Sequence, residues 1–127
     1  MWNAETFEHI AHLDKIDICF HICILSHDDK YLFACDYNGV CHIYNTQEKI
    51  KVGTVKPTNC GMIYDLACTL DNKFVIFAGE GADLEVLNIE TMKLEKVLKG
   101  HSSPIPWIAV TPDGRFILSA TYNDTIV

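Results

Sequence analysis

Cys19-Phe20-His21-Ile22-Cys23 is the stretch whose residue types come nearest to metal chemistry. Strand alternation would put Cys19, His21 and Cys23 on one face. Zinc takes four tetrahedral ligands, commonly paired from two turns, and Cys41-His42 offers a second pair. A simpler reading treats these residues as strand filler. Cys23 holds the place of Leu66 and Ile108 in two similar stretches, and Cys41 that of Glu85. No metal and no other cofactor is expected.

Ser26-His27-Asp28-Asp29 has the residue types of a nucleophile, a base and an acid. It recurs as Thr69-Leu70-Asp71-Asn72 and Thr111-Pro112-Asp113-Gly114, which is the composition of a turn. Gly79-Glu80-Gly81 lacks the Lys and the following helix of a phosphate loop. Asp65, Glu80 and Asp83 could gather into an acidic site, but solvated hairpin carboxylates are the ordinary case. No catalytic residue is assigned, and the chain is expected not to be an enzyme. An enzyme would need an acidic or metal-bearing central site.

The elements that position these residues come from a chain of 127 residues, one ordinary domain in size. Its composition is 49% hydrophobic and 21% charged, which is globular rather than disordered. The net charge of −7 argues against a general nucleic-acid binder or a sensor of anionic membranes, since phosphate contact needs a basic face. Uninterrupted apolar runs such as Tyr31–Cys35 are too short to span a bilayer. Met1-Trp2-Asn3-Ala4-Glu5 shows neither a basic nor an apolar leader region, so no secretory signal is expected. Cys19, Cys23, Cys35, Cys41, Cys60 and Cys68 fall mostly in apolar alternating stretches, where a thiol acts as a small hydrophobe. Free thiols in a reducing compartment, cytoplasm or nucleus, are expected.

The chain repeats itself. Asp28-Asp29-Lys30-Tyr31, Asp71-Asn72-Lys73-Phe74 and Asp113-Gly114-Arg115-Phe116 each open a strand-like run, at spacings of 43 and 42 residues. An apolar residue followed by Asn keeps the same register: Trp2-Asn3, Tyr44-Asn45 and Leu87-Asn88. The units run approximately over 1–45, 46–88 and 89–127, incomplete at both chain ends. Four short strands are predicted per unit. The first strands are Ile18–Leu25, Met62–Leu70 and Ile105–Thr111. The second are Tyr31–Asp36, Phe74–Ala78 and Phe116–Ala120. The third are Val40–Tyr44, Leu84–Leu87 and Thr125–Val127, and the fourth are Glu8–Leu13, Lys49–Val55 and Leu94–Leu98. Asn38-Gly39, Gly81-Ala82-Asp83 and Asn123-Asp124 supply the hairpins between second and third strands. This period and strand count predict all-β propeller blades, four-stranded antiparallel sheets that stack to bury their faces.

Lys99-Gly100-His101-Ser102-Ser103-Pro104-Ile105, followed by Ile108–Gly114 with its Pro-Asp-Gly turn, resembles the start of a WD40 repeat. Trp2-Asn3-Ala4-Glu5-Thr6 is similar to that family's Trp-Asp marker, with Asn for Asp. The resemblance covers essentially the whole chain. It implies a buried His–Ser/Thr–Asp–Trp network. His101 and Ser119 match it in the third unit, where Asn123 stands at the usual Asp. Trp2, Tyr44 and Leu87 occupy the Trp position, so the blades are degenerate and lean on apolar packing. The resemblance further implies that the N-terminal segment completes the last blade. Three blades are fewer than the four to eight of a closed ring. The expectation is a part of a larger ring, with a homo-oligomer as the alternative.

A propeller of this kind is expected to be a non-catalytic protein–protein interaction scaffold. The alternative is a structural role, with the blades completing a larger or self-assembled ring. Residues flanking the first strand and the second-to-third hairpin should line one face: His21, Asp36, Tyr37, Tyr64, Asp65, Glu80, Pro106, Trp107 and Tyr122. Aromatic anchors beside acids suit a protein or peptide with basic groups.

Overall fold

The same two turns recur through the chain and set the fold. In the first, Ser26, Thr69 and Thr111 each donate a hydroxyl hydrogen bond to the carboxylate two residues on: Asp28 (2.5 Å), Asp71 (2.7 Å) and Asp113 (2.5 Å). Those carboxylates also accept the amide N–H of Lys30, Lys73 and Arg115. The next residue adopts a left-handed conformation, with φ of 57° at Asp29, 56° at Asn72 and 70° at Gly114. Asp, Asn and Gly are the residues that tolerate this region best. The hydroxyl bonds hold the three carboxyls below the usual carboxylate range. In the second turn, the Asn3, Asn45 and Asn88 carboxamides each accept amide N–H groups two and three residues ahead. Here the left-handed residues are Phe7, Lys49 and Met92.

The computed structural model describes residues 1–13, 18–122 and 126–127. Between the turns run ten strands: β1 (Phe20–Leu25), β2 (Tyr31–Asp36), β3 (Cys41–Asn45), β4 (Ile50–Val55), β5 (Ile63–Cys68), β6 (Phe74–Gly79), β7 (Leu84–Asn88), β8 (Lys93–Leu98), β9 (Trp107–Val110) and β10 (Ile117–Ala120). They form antiparallel sheets in the order β1-β2-β3-β4, β5-β6-β7-β8 and β9-β10. The third sheet gains a bridge between Ala120 and Ile126. The predicted four-strand unit is therefore present twice in full, with every strand bound within two residues of the expected one. Asn123, Asp124 and Thr125, where a third hairpin and strand start were expected, lie outside the described residues.

The strand expected at Glu8–Leu13 does not form. Among the described residues its one bridge joins His9 to Trp2, with Asn3 N–H bonding Glu8 O and Ile10 N–H bonding Met1 O. Met1–Asn3 is the stretch that pairs with it among the described residues, and so short a partner cannot carry a ladder. Nor does the segment join the third sheet. Met1 and Leu13 share a cavity of about 660 Å³ with Leu25, Leu32 and Thr46, on the open side of the first sheet. The second sheet lies between that side and the third.

Two apolar layers hold the sheets together. Phe33, Cys35, Cys41 and Ile43 of the first blade meet Leu66, Cys68, Val75, Phe77 and Leu87 of the second. On its other side the second blade packs Ile76, Ala78, Leu84 and Val86 against Ile105, Ile108, Val110 and Ile117. Strand β6 thus feeds alternate residues into each layer, as a pleat of period two requires. Each fully buried Phe or Leu contributes roughly 1.5–3 kcal/mol.

Candidate protein-binding face

One end of the blade stack gathers the residues picked from the sequence, and β-bulges aim two of them. Pairing with β2 shifts between Phe20 and Ile22, leaving His21 as the extra residue. Pairing of β5 with β6 shifts between Ile63 and Asp65, leaving Tyr64 in the equivalent place. A bulge breaks alternation and re-aims a side chain. His21 accordingly turns toward the second blade, where Nε2 lies 2.5 Å from the Ile63 carbonyl oxygen. Its ring stacks on Tyr37 at 4.7 Å. This corrects the expectation that Cys19, His21 and Cys23 share a face: Cys23 stays exposed on the open side while His21 leaves it. Among the described residues no group of three His, Cys, Asp or Glu side chains is placed to hold a metal ion.

The turn between the second and third strands supplies the other member of each pair. Tyr37, Glu80 and Tyr122 stand at equivalent positions, 43 and 42 residues apart, and all three are exposed. Glu80 accepts a hydrogen bond from the Met62 amide (3.2 Å). Trp107 is 58% exposed and meets Tyr122, itself 66% exposed, edge to face at 5.6 Å. Tyr64 is half-buried and Pro106 buried. The face therefore carries an aromatic pair, then Tyr64 with a carboxylate, then a second aromatic pair.

Two expected members of the face are committed elsewhere. Asp36 is buried. One carboxylate oxygen accepts the Asn38 and Val40 amides, and the other accepts His42 Nε2–H at 3.0 Å. Burial works to raise its pKa, but these hydrogen bonds, led by that from His42, prevail and hold it below the usual value. Lys51 Nζ donates to His42 Nδ1 at 2.8 Å, so this imidazole carries its proton on Nε2. Sequence reasoning placed Asp36 in solvent because the partner that buries it lies across the hairpin. Asp65 joins blades: it accepts the Ile108 amide of the third sheet at 2.9 Å.

A cleft of about 490 Å³ opens between the first two blades. Tyr37 and Glu80 line it, as expected residues. Lys56, Pro57 and Thr58 line it as well, from the β4–β5 connection that sequence reasoning passed over, and so does Met62, which was expected to start the strand. The Pro57-Thr58-Asn59 composition was the available signal for a connection, in which Thr58 and Asn59 are exposed and Pro57 is buried. Two glycines bring the walls together. A Cβ on Gly39 (φ 73°) would stand 2.3 Å from the Gly61 carbonyl oxygen, and one on Gly81 would stand 1.6 Å from that of Asn59.

The family-type repeat residues divide. Tyr44 and Leu87 are buried as the Trp position requires, whereas Trp2 is 68% exposed and packs edge-on to His9. His101 Nε2 and Ser119 Oγ share a 2.7 Å hydrogen bond. No triad forms at Ser26: its hydroxyl serves Asp28, while His27 Nε2 lies 3.2 Å from the Cys68 carbonyl oxygen.

The sequence pattern of the family described as WD domain, G-beta repeat, matches residues 92–127. The chain is 23% identical over 126 residues to WD repeat-containing protein SL1-17 of Schistosoma mansoni, covering 99% of this chain and 41% of that protein. It is 28% identical over 88 residues to human WD repeat-containing protein 36, covering 69% of this chain and 10% of that protein. The chain thus spans less than half the length of these relatives. The crystal structure of the RRP9 WD40 repeats superposes with a TM-score of 0.80 at 11% identity, over 90% of this chain and 36% of that one.

Proposed function

We propose that this chain, which belongs to the WD40-repeat β-propeller family, presents its aromatic and acidic face to a protein or peptide bearing basic groups. WD40 folds serve in general as protein-interaction scaffolds. The observation that carries the finer reading is the placement of Tyr37, Glu80 and Tyr122 at one repeated turn position, all exposed. Each is flanked by a bulge or strand residue held by rigid sheet. Aromatic surfaces attract cations, a carboxylate pairs with them, and a net charge of −7 favours their approach. No catalytic step is assigned. The buried thiols support a reducing compartment, cytoplasm or nucleus.

Panning a random peptide library on the purified protein tests this reading. Enrichment of Lys or Arg beside apolar residues is expected. Tyr37→Ala with Glu80→Gln should abolish it while circular dichroism stays unchanged. Acidic or unselected peptides, or enrichment indifferent to those changes, would overturn the proposal.

A second reading has its own observation. Trp107, Leu118 and Ile126 are exposed on the outer side of the third blade, in the register that Ile22, Phe33 and Cys41 occupy against the second. Blades with such a side complete a larger ring, from further sequence or from other copies. Light scattering distinguishes the two: a discrete multiple of 14.3 kDa means copies assemble, and a monomer means they do not.

A further inference from the structure

Cys35 and Cys41 face each other directly across β2 and β3, and both are fully buried. The ladder around them fixes the type of pair. Asp36 N–H bonds Val40 O at 2.9 Å and Thr46 N–H bonds Lys30 O at 3.0 Å. Hydrogen-bonded and non-hydrogen-bonded pairs alternate along an antiparallel ladder, so Cys35–Cys41 falls on a non-hydrogen-bonded position. Such pairs hold their Cα atoms at about 4.5 Å, inside the span of about 4.4–6.8 Å that a disulfide bridges. No backbone movement is needed to join them. The other cysteines lack this relation: Cys19 and Cys23 are exposed neighbours on one stretch, Cys60 sits on the β4–β5 connection, and Cys68 faces Val75.

We propose that Cys35 and Cys41 are a redox pair, which a peroxide converts to a cross-strand disulfide that pins the β2–β3 hairpin and with it the cleft wall bearing Tyr37. One thiol attacks a peroxide oxygen. The O–O bond breaks, water leaves and a sulfenic acid remains. The second thiol displaces its hydroxyl as a second water. Two thiols are oxidised, hydrogen peroxide is reduced to two waters, and the thiol protons leave in them. The hydrogen bond with Cys41, together with burial, pushes the Cys35 thiol well up. Closed protein therefore presents little thiolate, and the reaction proceeds when the hairpin opens.

Both cysteines fall on one tryptic fragment, since no Lys or Arg lies between Lys30 and Lys49. Native alkylation first blocks exposed Cys19 and Cys23. Hydrogen peroxide is then applied across a urea series ending below the unfolding midpoint. The protein is denatured, alkylated again, digested and weighed. The expected result is fragment 31–49 two hydrogens lighter and unalkylated, as the main disulfide product, with both thiols restored by dithiothreitol. Cys60→Ser should leave that product in place. The proposal is overturned if the fragment takes up two alkyl groups at every urea concentration. A Cys35–Cys60 link, or sulfinic acid on unlinked Cys35 and Cys41, overturns it as well.

Discussion

The second and third blades are built from the same kind of strand and meet different fates. In the second, Val75 and Phe77 enter one core layer, and Ile76 and Ala78 the other. In the third, Ile108, Val110 and Ile117 pack inward, while Trp107, Leu118 and Phe116 remain in solvent. Trp107 stands in the register of Ile22, and Leu118 in that of Phe33 and Ile76. Both sides of every blade are apolar in sequence. Burial is conferred by a neighbour, and only the middle blade has one on each side.

The largest effect should separate those two sides. Phe77→Ala should cost about 3–5 kcal/mol in a denaturant titration, and the milder Phe77→Leu serves if the first does not fold. Leu118→Ala should stay below about 1 kcal/mol. Equal costs would break the comparison and mean that the outer side of the third blade is covered in solution.

Close approach gives the next contrast. Gly81→Ala should destabilise by about 1–3 kcal/mol through collision with the Asn59 carbonyl. Gly53→Ala, which meets nothing within 4 Å, should cost nothing measurable.

Acid should act on the first blade through Asp36. Its folded pKa is depressed, so its contribution is present above the unfolded value of about 3.9 and is lost as pH falls through the folded one. The exposed turn aspartates shift the same way and add little in solvent. Asp36→Asn should therefore flatten the decline of stability below about pH 4. An unchanged acid titration followed by circular dichroism would contradict the buried arrangement with His42.

The smallest effect is spectroscopic. Trp2 and Trp107 are both exposed, so iodide should quench nearly all tryptophan emission. Protection that grows with protein concentration would show copies covering the third blade.

The turns were readable in the sequence because Ser26, Asp28 and Asp29 act within a few residues of one another, and their copies do likewise. Strands β2, β6 and β7 were readable for a related reason: apolar runs bounded by such turns have one outcome. Three features were not. The bulge at His21 is a register shift against β2, and nothing within β1 announces it. Asp36 resembles an exposed hairpin acid until His42 and two amides close on it. Glu8–Leu13 was expected to be a strand on the repeat register alone, but a strand is half of a pair. On the face, Tyr37, Glu80 and Tyr122 followed from register alone. Lys56 and Met62 entered through the packing of one blade on the next.

The difference between spacings of 43 and 42 residues has a location. Strand and turn positions in the first two blades, from Asp28 to Val55, sit 43 residues before their counterparts, whereas Asn59 and His101 are 42 apart. The odd residue is absorbed after the fourth strand, in the connection that lines the cleft. Sheet geometry leaves no slack within a blade, so this connection is where the chain tolerates editing. Residues inserted beside the exposed Thr58, with the buried Pro57 kept, should change what the cleft accepts while leaving the blades on either side in register.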